Sequence, residues 1–166
     1  PETQMDKLAQ NIQLKQEIRS KIENRLPVYA ECGGLMYLSK SIEWRDKKAE
    51  MIGIIPTGTI MHDKPQGRGY VMMEKTTAFP WPQEESDNKI SKVIKAHEFH
   101  YSSLENPGKT GEYALQVLRG TGIDGKYDGI VYKNMFACFT HQRNTRSNPW
   151  VRHFTDFIKS KSSRYT

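Results

Sequence analysis

The sequence predicts an α/β sandwich, a largely parallel sheet with an antiparallel extension, folded as one domain over residues 1–166. Three observations carry this expectation. Strand-like runs alternate with amphipathic helical stripes toward the two ends of the chain. Pro27-Val28-Tyr29-Ala30 is a short apolar run of strand type that stops at Glu31-Cys32-Gly33-Gly34, after which Leu35, Met36 and Leu38 recur at helical spacing. In the middle of the chain, strand-like runs follow one another with few helical stripes, which points to antiparallel pairing. At 166 residues the chain has the size of one domain and can bury a real core.

Taken in order, Met5, Leu8, Ile12, Ile18 and Ile22 form a rough helical stripe among charges, predicting one amphipathic surface helix over residues 1 to about 25. It leads into the strand before Cys32. A sharp strand-to-helix corner needs backbone conformations and close approaches that side chains obstruct, which accounts for Gly33 and Gly34. The helix beyond points its N-terminus at the sulfur, an arrangement expected to lower the thiol pKa. Two readings stand at this point: Cys32 is a nucleophile, or it is a small buried hydrophobe beside an ordinary turn.

Glu43 to Ala49 reads as a polar turn, Met51 to Pro56 as a strand that the proline ends, and Gly67 to Met73 as another strand. Phe79 to Asn88 is a Pro- and charge-rich loop whose aromatic pair, Phe79 and Trp81, reads as a surface turn rather than a lid. Val93 to Ser102 is strand-like and carries His97, Glu98, His100, Tyr101 and Ser102. A metal site there would need a helix to bring both histidines to one face, whereas a strand puts them on opposite faces, so no metal is expected. Tyr113 to Leu118, Asp128 to Tyr132 and Met135 to Thr140 are three further strands, the first two joined by the hairpin-like turn Arg119 to Lys126 and the last ending at His141. Val151, Phe154, Phe157 and Ile158 form a C-terminal amphipathic helix, followed by a polar, frayed Lys159 to Thr166.

Composition narrows the function classes. The net charge is +6, from 25 Lys and Arg against 19 Asp and Glu, but the basic residues are dispersed and not interleaved with aromatics, which argues against nucleic acid and leaves a small polycarboxylate as a fitting partner. With a mean hydropathy of −0.74, no bilayer-length apolar run and no signal-peptide pattern, the expected compartment is the cytoplasm and no membrane partner is expected. Two cysteines, Cys32 and Cys138, are too few for a disulfide framework.

Three stretches carry a family resemblance. AECGGLMYL, at residues 30–38, closely resembles the nucleophile motif of the glutamine amidotransferase domain at the C-terminal end of cobyrinic acid a,c-diamide synthases and their tetrapyrrole-amidating relatives. HEFHYS, at 97–102, resembles a signature that these enzymes carry near the active site, and Met51 to Pro56 resembles their M-x-G-x-x-P segment. Asp128, Gly129, Asn134, Ala137 and His141 keep the register of a third motif, with Cys138-Phe139 where Ser-Tyr is usual.

The resemblance implies a class I glutamine amidotransferase-like, flavodoxin-like fold with Cys32 as nucleophile and His141 as its base. It implies an oxyanion hole at Gly33 and Gly34, and a place near the substrate or an interface for Glu31, His97, Glu98, His100, Tyr101 and Ser102. Class I enzymes normally place a carboxylate two residues after the histidine. This chain has Gln142-Arg143 instead, so a dyad is expected, oriented by a group that the sequence does not identify. The implied substrates are glutamine and, through a synthetase domain, a tetrapyrrole polycarboxylate. The macrocycle would be cobyrinic acid, amidated on its a and c acetates, or alternatively sirohydrochlorin. The domain itself is expected to bind no cofactor; ATP and Mg²⁺ belong to the synthetase domain. Pro1-Glu2 resembles the end of a G-G-x-P-E turn, which implies an N-terminal truncation that also removes that domain and exposes a sheet edge open to homodimer pairing. The rival readings are a non-catalytic amidotransferase-like binding domain, in which Cys32 is a relic, and a stand-alone cysteine amidase.

Overall fold

In the computed structural model, which describes residues 1–82, 92–109 and 111–162, the chain enters through two short helices, α1 (Met5–Gln10) and α2 (Ile12–Glu23). The single helix expected here is divided. Asn11 leaves the helical region (φ −79°, ψ 69°) and its side chain accepts the Leu14 N–H at 3.2 Å, capping α2. The turn at Asn11 also redirects the apolar stripe, so Met5 and Ile22 are buried while Ile12 is 60% exposed.

Strand β1 (Val28–Glu31) and helix α3 (Gly33–Leu38) follow, then β2 (Ser41–Trp44), β3 (Lys47–Glu50), β4 (Thr59–Met61), β5 (Gly67–Lys75), β6 (Val93–His100), β7 (Ser102–Leu104), β8 (Glu112–Arg119), β9 (Tyr127–Tyr132), β10 (Met135–Cys138), β11 (His141–Gln142) and helix α4 (Trp150–Ser162). Seven strands form the main sheet in the order β1-β10-β9-β8-β5-β6-β11, and four form a smaller one in the order β3-β2-β4-β7. The α/β class is as expected, but the pairing is mostly antiparallel. Among the described residues, parallel ladders occur only at β1–β10 and β2–β4. The cause is connection length: Lys133-Asn134, with Lys133 at φ 54°, joins β9 directly to β10, and a link that short can only join antiparallel neighbours.

Three local expectations are corrected. Glu43 to Ala49 is not a turn but most of the β2–β3 hairpin, which reverses at Arg45 (φ 56°) and Asp46. Met51, Ile52, Ile54 and Ile55 are buried, yet the stretch from Met51 to Pro56 pairs in no ladder. Its N–H groups bond instead to the last carbonyls around α3, Ile52 to Tyr37 at 3.1 Å, Gly53 to Ser39 at 2.8 Å and Ile55 to Leu38 at 3.0 Å, so the apolar run caps a helix end. Trp81 is no surface turn. It is 2% exposed and packs edge-on to Tyr29 and Phe136, with ring centroids at 5.0 and 5.2 Å. The loop beyond it, from residue 83, lies outside the described residues.

Strand β10 is buried on both faces: Met135 and Ala137 pack into one apolar cluster with α2 and α3, and Phe136 and Cys138 into the other with Trp81 and α4. Helix α4 runs through Ser162, so the fraying expected from Lys159 does not begin there, and residues 163–166 lie outside the described residues. It buries His153 and Phe157 and leaves Val151 and Ile158 exposed, a narrower apolar face than expected.

Candidate active site

Everything at this site hangs on the C-terminal ends of β1 and β10. The Cys32 N–H extends their ladder by donating to the Cys138 carbonyl at 2.8 Å, while the Cys32 carbonyl accepts the Met36 N–H at 3.0 Å and so starts α3. One residue thus ends a strand and caps a helix, and it does so at φ 44°, ψ −98°. The corner was expected to place its unusual backbone on the glycines; the structure places it on the cysteine. A non-glycine residue held there stores about 1–3 kcal/mol of strain, as nucleophile elbows do. The glycines serve close approach instead: a Cβ on Gly33 would lie 3.1 Å from the Pro1 ring, and one on Gly34 3.1 Å from the Ala30 Cβ.

The thiol is not acidified by this geometry. Burial of the sulfur raises the Cys32 pKa above the ordinary thiol value; the Gly33 N–H works in the other direction but loses, and the Glu2 and Glu31 carboxylates add to the rise. The expected lowering by the helix end is therefore overturned, since α3 is only six residues long and its end does not outweigh desolvation. A thiol that keeps its proton needs a base. Cys138, fully buried with its Sγ donating to the Thr140 carbonyl at 3.1 Å, is a core residue.

His141 is delivered by β11, which pairs with β6 so that His141 lies opposite His97. Its Nδ1 faces Glu31 Oε2 at 3.3 Å. The other carboxylate oxygen accepts the Gln142 N–H at 2.9 Å and the Tyr29 hydroxyl. Tyr29, whose burial pushes its phenol well above the ordinary value, also accepts from Gln142 Nε2 at 3.0 Å, and Gln142 Oε1 accepts from Asn148 at 3.1 Å. Glu31, the residue just before Cys32, thus links β1 to His141. The bend between β10 and β11 is shaped by buried Asp128, which accepts the N–H groups of Gly129, Phe139 and Thr140 at 2.8, 3.1 and 2.9 Å. Sequence reasoning had no role for Asp128 beyond a place in a motif.

The HEFHYS stretch divides by strand alternation. His97 faces outward, over the ring of His141. Glu98 and His100 face inward: Glu98 accepts the N–H groups of Thr121 and Gly122 at 2.8 and 2.9 Å, and the His100 ring stacks on Phe139 with its Nδ1 2.8 Å from the Ser102 carbonyl. Ser102 is buried and Tyr101 half-buried, edge-on to Phe99. Of the six residues proposed for substrate or interface, Glu31 and His97 reach His141, while Glu98, His100 and Ser102 are spent on the interior. Beyond His97 open two adjoining clefts of about 450 and 500 Å³ that share Tyr70 and Arg143, the first reaching Arg68 and Phe99 and the second Lys95 and Arg119. Four cations, a Tyr70 that is 77% exposed and one carboxylate, that of Glu98, line them, which leaves the lining net positive. Among the described residues, no group of three His, Cys, Asp or Glu side chains could hold a metal ion, and no helix is long and apolar enough to cross a membrane.

Residues 1–149 match the CobB/CobQ-like glutamine amidotransferase domain. The chain is 40% identical over 163 residues, 98% of its length, to the cobyrinate a,c-diamide synthase of Magnetococcus marinus, and 40% identical over 141 residues to that of Archaeoglobus fulgidus. It spans about a third of the length of these relatives, 34% and 29%. A solved glutamine amidotransferase shares the fold at a TM-score of 0.61 and 14% identity, over 92% of this chain and 72% of that one.

Proposed function

Because the chain belongs to the CobB/CobQ-like glutamine amidotransferase domain family, we propose that it is the glutaminase part of an ATP-dependent amidotransferase that converts the a and c acetate carboxylates of cobyrinic acid to amides. The observation that carries this reading is the hydrogen bond between His141 and Glu31, the residue immediately before Cys32 in the chain.

In this mechanism His141 takes the thiol proton as Cys32 Sγ attacks the side-chain carbonyl carbon of glutamine. The Gly33 N–H, at the start of α3, is the donor for the developing oxyanion. Collapse breaks the C–N bond, His141 passes its proton to the departing ammonia, and a glutamyl thioester remains on Cys32. Water then attacks the thioester, returning glutamate and the free thiol. Net, glutamine and water give glutamate and ammonia. The ammonia passes to the synthetase part of the protein, to which the family resemblance assigns ATP and Mg²⁺.

The cationic clefts beside His97 support a polycarboxylate partner, and the names of the relatives favour cobyrinic acid over sirohydrochlorin. Both cysteines are free, and a nucleophile that must stay reduced suits the cytoplasm. An electrophilic glutamine analogue, 6-diazo-5-oxo-norleucine, tests the reading on the intact enzyme. It should alkylate Cys32 and leave Cys32→Ser unlabelled; no labelling of folded wild type would mean that the domain is a non-catalytic binding module.

A further inference from the structure

We infer that Glu31 is the positioning acid of this site, replacing from the upstream side of the nucleophile the carboxylate that is absent downstream of His141. The inference rests on the glutaminase reading and adds to it the group that orients the base.

The argument starts from what a carboxylate can do. An ionised carboxylate only accepts hydrogen bonds, so the ring nitrogen facing it must carry the proton. With Nδ1 facing Glu31 Oε2 at 3.3 Å, His141 is held as the Nδ1–H tautomer, and its Nε2 lone pair is free to take a proton from sulfur. The carboxylate is itself fixed: Oε1 is occupied by the Gln142 N–H and the Tyr29 hydroxyl, so that Oε2 alone is left for the ring. Tyr29 and Glu31 lie on one face of β1, where residues i and i+2 align, and Gln142 reaches Tyr29 from β11. The acid is therefore held by one strand and the base by another. His97, stacked on the far side of the ring at 5.0 Å, limits rotation out of this position.

This also explains the letters around Cys32. In β1, Ala30 turns into the core and Glu31 turns to the opposite face, and from there it reaches His141 on β11, the strand at the other end of the sheet order. Arg143, two residues after His141, lines the cationic cleft instead.

The test compares wild type, Glu31→Gln, Glu31→Asp and Cys32→Ser in the intact amidotransferase. A glutamine side chain keeps the shape and an oxygen acceptor for the Gln142 N–H, but its NH₂ group, turned to His141, must meet a lone pair and so favours the Nε2–H tautomer. We expect Glu31→Gln to lower kcat for glutamate release by about 10²- to 10⁴-fold, with KM for glutamine little changed. ¹⁵N chemical shifts of the His141 ring should show Nδ1–H in wild type and Nε2–H in Glu31→Gln. Glu31→Asp should keep the wild-type tautomer and part of the activity. Wild-type turnover in Glu31→Gln, or lost turnover with an unchanged tautomer, would overturn the inference. Failure of the underlying reading looks different: wild type would release no glutamate and its Cys32 would resist the diazo analogue, while the ring shifts would still decide what Glu31 does to His141.

Discussion

The imidazole of His97 lies over that of His141, with ring centroids 5.0 Å apart and planes 18° from parallel. The two residues are direct partners across the β6–β11 ladder, so the stack follows from strand register. It forms one wall beside His141. Removing that wall in His97→Ala should lower kcat for glutamate release by about ten- to a hundredfold through misplacement of His141, whereas His97→Phe, which restores a flat ring, should recover most of it. Steady-state kinetics of the two variants check this.

The backbone of Cys32 yields a stability prediction. At φ 44° a Cβ is strained, so Cys32→Gly should be more stable than Cys32→Ala by about 1–2 kcal/mol, the reverse of the ordinary order. Both variants should be inactive. Urea unfolding of the pair isolates the Cβ from the lost sulfur.

Asp128 gives the largest expected loss. Asp128→Ala leaves the buried N–H groups of Gly129, Phe139 and Thr140 without their acceptor, at about 1–3 kcal/mol for each one that stays unsatisfied. Because Phe139 and Thr140 lead into His141, denaturant unfolding should report a destabilised protein and glutamate release should fall with it.

Glu98 sets part of the acid response. Burial opposes its charge, but the His100 ring, 3.7 Å away, and hydrogen bonds from the Gly122 and Thr121 N–H groups outweigh burial and hold its pKa below the ordinary 4.5. A carboxyl whose pKa is depressed by folding adds stability that is present above its unfolded value and is lost as pH falls through its folded value. Glu98→Gln should therefore melt lower than wild type at pH 7, with the gap closing below about pH 4.5. Melting curves across pH 3–7 read it directly.

The cationic cleft predicts a salt effect. Reversing two charges in Lys95→Glu with Arg119→Glu should raise KM for cobyrinic acid several-fold more than KM for glutamine. The difference should shrink with added salt, because the Debye length is only about 8 Å at physiological ionic strength.

Local information was enough to read the elbow. The sharp turn, the thiol at its apex and the helix beyond it are properties of about a dozen consecutive residues, so Pro27 to Leu38 displays them in one line. The same holds for His97 and His100, whose opposite faces follow from the two-residue period of a strand. What Glu31 does was not legible, because its partner lies 110 residues away and the two meet only once β1 has paired with β10 and β11 with β6. The direction of strand pairing, the burial of Trp81 and the helix-capping role of Met51 to Pro56 are likewise tertiary decisions, since an apolar run states that it must be covered and not by what. Even the pKa of Cys32 belongs there: the sequence places a helix end behind the sulfur, but the water that the fold removes from the thiol raises its pKa.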